Sequence, residues 1–396
     1  MTTTDRPAHV APENVGPRFP LALVLWSSAV FAMQIGVARL GYGLALPAIR
    51  STLHGNYTLY GTINAFSLGG YLAGALVAPL FIRRLRESVM ASSVLAGAAL
   101  IISGFAGDAL VFGLARTLFG LASGVALVAA AVQTLESVEA RHRGGASAIM
   151  WAGIGLGLAI SATGAAWLAS GALDWRIASI ATGIVTAVAG VGYGIAERRR
   201  LGVRSSSAGQ TQPPKPQRFV FLCLSYFAFG FAYIAYATFI VASIDARLGI
   251  AHAHHIVELL WALYGIASVA GTLAIGRILD RPIGRWAMVF AGTASAIGCA
   301  AAFVSPLAVI PSAILVGLGL TATPAAATAF ARARTTTAGA PAAIALVTVA
   351  VGLGQLIGPL AAGVSADKLG LGSVALLACC VYLLQAASAA VDAARG

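Results

Sequence analysis

The chain has 396 residues, 59% of them hydrophobic and 10% charged, with a mean hydropathy of +0.88. Soluble domains carry about 25% charged residues, so this composition excludes a soluble globular protein and predicts an all-α integral membrane protein. The formal charge of +12 does not point to nucleic acid, because no basic patch carries interleaved aromatics or a known binding motif.

Residues 1–17 are polar and contain proline, without the apolar core and small-residue cleavage site of a secretory signal. The first span is therefore expected to be an uncleaved anchor. It runs over 21–46, with Gln34, Gly36, Arg39 and Tyr42 as its polar or small positions. A guanidinium stays charged wherever it is placed, and mid-span it costs about 2.5–3.5 kcal/mol. Arg39 is expected to face a water-filled cavity and meet a solute or partner; the alternative is snorkelling or holding backbone carbonyls. The second span, 58–82, carries Tyr60, Asn64, Ser67 and Tyr71 at spacings of 4, 3 and 4, which puts all four on one helical face. That face is either a cavity wall or a seam of helix–helix hydrogen bonds.

Spans three to six cover 88–106, 109–135, 145–169 and 175–196. The fourth holds Arg116, with the same two readings as Arg39, and Gln133. Residues 197–217 are a basic, then Ser/Gly/Gln/Pro-rich, linker. Spans seven and eight cover 219–244, with Tyr226, Tyr233 and Tyr236, and 256–279, with Glu258, Trp261 and Tyr264. These aromatics line a pocket or form an interfacial belt. Glu258 reads as a protonatable coupling group or a solvated helix-start acid. His252, His254 and His255, just before span eight, read as a solvated loop in preference to a metal site. The last four spans cover 286–304, 307–331, 341–365 and 371–391, with Gln355 in the eleventh. Neighbouring spans are nearly fused at Gly107-Asp108 and at Ser305-Pro306. The four cysteines, Cys223, Cys299, Cys379 and Cys380, fall in apolar runs and read as buried hydrophobes, not disulfide partners.

Twelve spans put both termini on one side of the membrane. With that side cytoplasmic, its segments hold 18 of the lysines and arginines, and the opposite segments hold 4: Arg50, Arg176, Arg247 and Lys368. This bias obeys the positive-inside rule and accounts for the basic net charge. The linker divides the chain into a tail (1–18), a six-helix bundle (19–196), the cytoplasmic linker (197–217), a second six-helix bundle (218–392) and a short tail (393–396). A shift of 197 positions superposes Gly74 on Gly271, Arg84 on Arg281, Gly120 on Gly317, Gly155 on Gly352 and Gly157 on Gly354. Two parallel repeats of this kind place a substrate site at the midplane between them. No phosphate-binding Gly-x-x-x-x-Gly-Lys-Ser/Thr run is present. The spans lack the aspartates and histidines that an intramembrane enzyme needs, so neither an enzyme nor a cofactor is expected.

The loop after span eight reads Gly276-Arg-Ile-Leu-Asp280-Arg281-Pro-Ile-Gly284-Arg285, and span four carries Arg116-x-x-x-Gly120-x-x-x-Gly124. Span eleven carries Gly354-x-x-x-Gly358-Pro359, and Asp174-Trp175-Arg176 leads into span six. With Gly36-Val-Ala-Arg39-Leu-Gly-Tyr42 ahead of Pro47 in span one, the chain resembles the major facilitator superfamily over residues 19–392, and within it the YbfB/YjiJ-like bacterial branch. The resemblance implies a monomeric secondary transporter of the bacterial inner membrane, with alternating access through two pseudo-symmetric six-helix bundles. It also implies a conformational latch at Asp280, Arg281 and Arg285. Two departures stand out: the matching first-half loop has no Asp, and span five has no Gly-Pro pair.

No Asp or Glu lies within the first six spans to neutralise Arg39 and Arg116. The expected solute is therefore a small organic anion, a carboxylate, met by Arg39 and Arg116 with Tyr42, Asn64, Tyr71, Tyr233, Tyr236, Trp261, Tyr264 and Glu258 as further binding or coupling candidates. Two alternatives stay open: proton-coupled efflux of amphipathic or drug-like compounds, and a non-transporting membrane receptor with the same fold. A cysteine placed in the 197–217 linker is expected to react only with a membrane-permeant maleimide in intact cells; reaction with an impermeant one would invert the topology.

Overall fold

The computed structural model describes residues 19–139, 142–169, 173–198, 219–279, 281–335 and 340–395. The described residues are almost entirely helical, as a lipid-embedded backbone must be to satisfy its own N–H and C=O groups. Twelve helices are long and apolar enough to cross a membrane. We number them α1 (Leu21–Leu53), α2 (Tyr57–Val77), α3 (Leu85–Phe105), α4 (Ala109–Glu136), α5 (Arg143–Ala169), α6 (Trp175–Arg198), α7 (Val220–Leu248), α8 (Ile250–Ile278), α9 (Ala287–Val304), α10 (Val309–Ala333), α11 (Ala340–Leu369) and α12 (Gly372–Arg395).

The joints are sharper and the helices longer than hydropathy alone indicates. At the first close joint, Asp108 caps α4, its carboxylate accepting from the Leu110 and Val111 N–H groups at 2.9 Å each. At the second, Ser305 begins a short 3₁₀ turn, Pro306–Ala308. Gly249, at φ +73°, turns the chain within one residue. Helix α8 therefore starts at Ile250, and His252, His254 and His255 lie in its first turns, not in a loop. Among the described residues no group of three or more metal-ligating side chains occurs. Likewise α1 continues past residue 46 to Leu53, where His54 and Gly55, both at positive φ, end it.

The helices form two six-helix bundles with matching neighbours. In the first, α2 packs on α4, α3 on α4 and α6, and α5 on α1; in the second, α8 packs on α10, α9 on α10 and α12, and α11 on α7. The 197-residue repeat is visible atom by atom. A side chain at Gly74 would collide with the Leu121 carbonyl, and one at Gly271 with the Leu318 carbonyl. Gly120 abuts the Ser67 carbonyl as Gly317 abuts that of Tyr264. Each contact lies 197 positions from its mate, so the glycines are the close-approach points of one helix-pair geometry used twice.

The bundles meet along α2 with α11, α5 with α8, and the second half of α1 with α7. The first two contacts are exchanged by the pseudo-twofold. Closure is concentrated on the face opposite the chain termini, the far face. There Gly43 sits on the Ala237 carbonyl, and Asn64 Nδ2 donates to Thr238 Oγ1 at 2.8 Å. The Asp367 carboxylate at the end of α11 accepts from the Tyr57 N–H (3.0 Å), the Thr58 N–H (2.7 Å) and the Thr58 hydroxyl (2.6 Å). An acid from one bundle thus caps the first turn of a helix in the other, where the helix dipole favours negative charge. Nearer the termini the first segment of α1 packs inside its own bundle, on α5, α6 and α4.

Removing a cap costs about 0.5–2 kcal/mol, which corresponds to roughly 2- to 30-fold in an open-to-closed ratio. Thr238→Cys, in a background with the four native cysteines replaced, is accordingly expected to react faster with maleimide by a factor in that range when Asp367→Ala is added. Equal rates would show that the Asp367 contact does not hold the far face shut.

Candidate functional site

The first helix is not a continuous α-helix. Residues Ala32–Arg39 are π-helical, with the Leu40 N–H reaching back to the Ile35 carbonyl at 3.0 Å. Regular α geometry resumes at Gly41. A π segment inside a helix widens the turn, re-aims its side chains and leaves carbonyls without their usual partner. Here the last π residue is Arg39, and the carbonyl before it, on Ala38, is taken by Arg116 Nη2 at 3.1 Å. The nearby Gly43 N–H bonds to Leu40 instead.

Arg39 is 4% exposed. Its guanidinium carbon lies 3.8 Å from the centroid of the Tyr71 ring of α2, and the guanidinium lies beside the Tyr233 hydroxyl of α7. One face of the fork is therefore covered by an aromatic ring from its own bundle, and its edge reaches a ring of the other bundle. A desolvated cation–π contact stabilises by about 2 kcal/mol, which offsets only part of the cost of a buried charge. Arg116, 5% exposed, lies between the rings of Tyr42 (5.1 Å) and Phe119 (5.0 Å), close enough to Arg39 for the two charges to repel. Tyr42 is itself fixed by donating to the Tyr60 carbonyl at 2.7 Å. Arg39 Nη2 and Arg116 Nε are buried without any hydrogen-bond partner. Among the described residues, the ion pairs lie elsewhere, at span ends: Arg86 with Glu197, His142 with Glu139, His255 with Glu258, and Arg334 with Asp392. Two guanidiniums thus share one buried place with unused donors.

Tyr233 ends a ladder. Tyr226, Phe229 and Tyr233 lie on one face of α7 with near-parallel rings, 5.8 Å and 4.9 Å between centroids. The pseudo-twofold explains where Tyr233 stands. Gly36 abuts the Ile154 carbonyl and Gly230 the Val351 carbonyl; these carbonyls are 197 residues apart, but the glycines 194. From Gly36 onward the repeat of α1 and α7 therefore runs at 194, which makes Tyr233 the counterpart of Arg39 and Tyr236 that of Tyr42; before it, the Ala32 and Phe227 carbonyls that Gly157 and Gly354 abut are 195 apart.

The structure brings Arg39, Tyr71 and Tyr233 into contact, with Arg116 and Tyr42 beside them. Asn64 and Ser67 lie on the same buried face of α2, Asn64 bonded across to Thr238. Tyr236, Trp261 and Tyr264 form an adjoining aromatic group inside the second bundle: Tyr236 shares a hydrogen bond with Ser312 at 2.9 Å, and Tyr264 packs edge-on against both Tyr236 and Trp261. Glu258 lies apart, at the far-face end of α8, its side chain 39% exposed and 3.9 Å from His255. Because α8 begins at Ile250, Glu258 stands more than two turns inside the helix and not at its start. Asp280 lies outside the described residues, Arg281 is exposed, and Arg285 rests over Trp286 at 5.6 Å. Two features lay beyond sequence reasoning: the π segment, which no residue pattern announces, and Phe229, an ordinary apolar residue until its neighbours on α7 are seen to stack.

The fold has close solved counterparts. A crystal structure of a bacterial homologue of the human lysosomal transporter Spinster, inward-facing and unoccupied, superposes with a TM-score of 0.73 at 14% identity, covering 96% of this chain and 98% of its own. The nucleoside transporter NupG, in a mutant form, superposes with a TM-score of 0.76 at 12% identity, covering 95% and 100%. At such identities the likeness is one of fold. No curated relative matches the sequence. The family model described as "Uncharacterised MFS-type transporter YbfB" matches residues 31–391, nearly the whole chain. With twelve spans in two pseudo-symmetric bundles, this chain belongs to that family of MFS-type transporters.

Proposed function

We propose that this protein is a secondary transporter that carries a small organic anion, a carboxylate, through a site at Arg39 by rocking its two bundles. The observation that carries the reading is the buried pair of arginines with unused donors and no acid beside them. A carboxylate supplies the missing charge and accepts from the planar fork. The position of Arg39 supports coupling to the conformational cycle, since it belongs to one bundle and lies beside a tyrosine of the other. A ligand on Arg39 therefore competes with, or completes, an inter-bundle contact.

Arg116 plays a different part in this reading. Its bond to the Ala38 carbonyl holds the π segment that aims Arg39, so it acts chiefly as a positioning residue and as a second source of positive potential. With the termini face cytoplasmic, as the 18-to-4 charge bias supports, the far face is external and the described conformation is shut toward the outside. The chain then works as a monomer in a bacterial inner membrane, with residues 197–217 as a cytoplasmic tether between the bundles and without a cofactor.

Charge-assisted hydrogen bonds contribute about 1.5–3 kcal/mol each. Arg39→Lys keeps the charge but loses the fork, and is expected to weaken carboxylate binding roughly 10- to 100-fold on that scale. Arg39→Gln is expected to abolish counterflow in proteoliposomes. Robust flux of a neutral or cationic solute that survives Arg39→Gln would overturn the anion reading. Arg116→Met, which carries no donor, leaves the Ala38 carbonyl unheld, so both the unfolding temperature and carboxylate affinity are expected to fall; Arg116→Lys, which can still donate to that carbonyl, is expected to restore most of the thermal loss. A Lys variant as unstable as the Met variant would remove the positioning role.

A further inference from the structure

Building on the anion reading, the geometry points to the body of the carried molecule: we infer that the carboxylate is borne on a flat aromatic ring, which lies against the Tyr226–Phe229–Tyr233 ladder of α7 while its charge meets Arg39. The ladder leads directly to the guanidinium. Its last ring, Tyr233, carries a hydroxyl that lies beside Arg39, and Tyr71 covers a face of the same guanidinium at 3.8 Å. A molecule with a charged end at Arg39 and a body extending along α7 therefore passes over two further ring positions, Phe229 and Tyr226, in near-parallel register.

The fold does not require a ring at each of these places. The 194-residue relation of α1 to α7 makes Arg39 the counterpart of Tyr233 and Ile35 that of Phe229, while the 195-residue relation of Ala32 to Phe227 makes Phe31 that of Tyr226. At the two ring positions nearer Arg39 the first bundle thus has an aliphatic side chain and the cation. Phe229 and Tyr233 are a departure from the repeat, located where the repeat also departs by placing a charge. The polar groups of the place are donors or phenols: the Arg39 and Arg116 forks and the Tyr71, Tyr226 and Tyr233 hydroxyls. That set disfavours an amine, which needs an acid, and a polyol, which needs several acceptors. Burial of Tyr226 and Tyr233 to 6% exposure and Phe229 to 2% keeps water from the ring faces, where flat stacking outperforms mere apolar contact.

The test compares benzoate with cyclohexanecarboxylate, which share charge and ring size but differ in flatness. Binding to the purified full-length chain is measured by thermal shift across a concentration series. Benzoate is expected to bind about 10-fold more tightly, the scale of one or two stacking contacts, although cyclohexanecarboxylate is the more apolar acid. Phe229→Leu and, separately, Tyr226→Leu are expected to bring that ratio toward one, and a single folded variant suffices. Equal affinity of the wild type for the two acids, or a ratio unchanged in a folded ladder variant, would overturn the aromatic inference while leaving the anion site standing. Absence of binding by both acids, together with an Arg39→Gln variant indistinguishable from wild type toward other solutes, would overturn the anion reading and this inference with it.

Discussion

A buried guanidinium with no acid beside it is the constraint around which this molecule is arranged. Arg39 cannot shed its charge, is cut off from water at 4% exposure, and among the described residues has a ring face over it and a phenol beside it. The surrounding structure makes that tolerable. The π segment swings the side chain to its place, Arg116 holds a carbonyl of that segment, and Tyr42 and Tyr71 cover the cationic faces. A leucine would have been easier to insert, so the structure holds this charge in place through fixed neighbours and not through solvent.

The second organising element is repetition with exceptions. Helix pairs inside each bundle reuse the same close approaches, seen in Gly74 with Leu121 and Gly271 with Leu318. Between bundles the α2–α11 and α5–α8 contacts are exchanged by the pseudo-twofold. The first helix slips by three residues against the repeat, carries the π segment, and places a cation where its mate carries tyrosine. The Asp367 cap on α2 joins the bundles at one face, so closure there rests on one carboxylate and three donors as well as on packing.

Much of this was written in the sequence. Hydropathy and the sparse charges determine twelve spans, their pairing into two bundles and the placing of both termini on one side, because insertion into a bilayer is decided segment by segment. The 197-residue register is legible for the same reason: a glycine needed for close approach is needed in both copies. Arg39 and Arg116 stand out because a charge inside an apolar run is costly regardless of what surrounds it. The tertiary structure alone decided what those charges meet. Tyr233 lies 194 residues from Arg39, and Asp367 lies over 300 from Tyr57; nothing local marks either as a partner. It also set the surroundings of the two arginines apart, because whether a guanidinium binds a carbonyl or lies under a ring depends on a π turn and on the neighbours that packing brings within 3–4 Å, and composition along the chain carries no record of either.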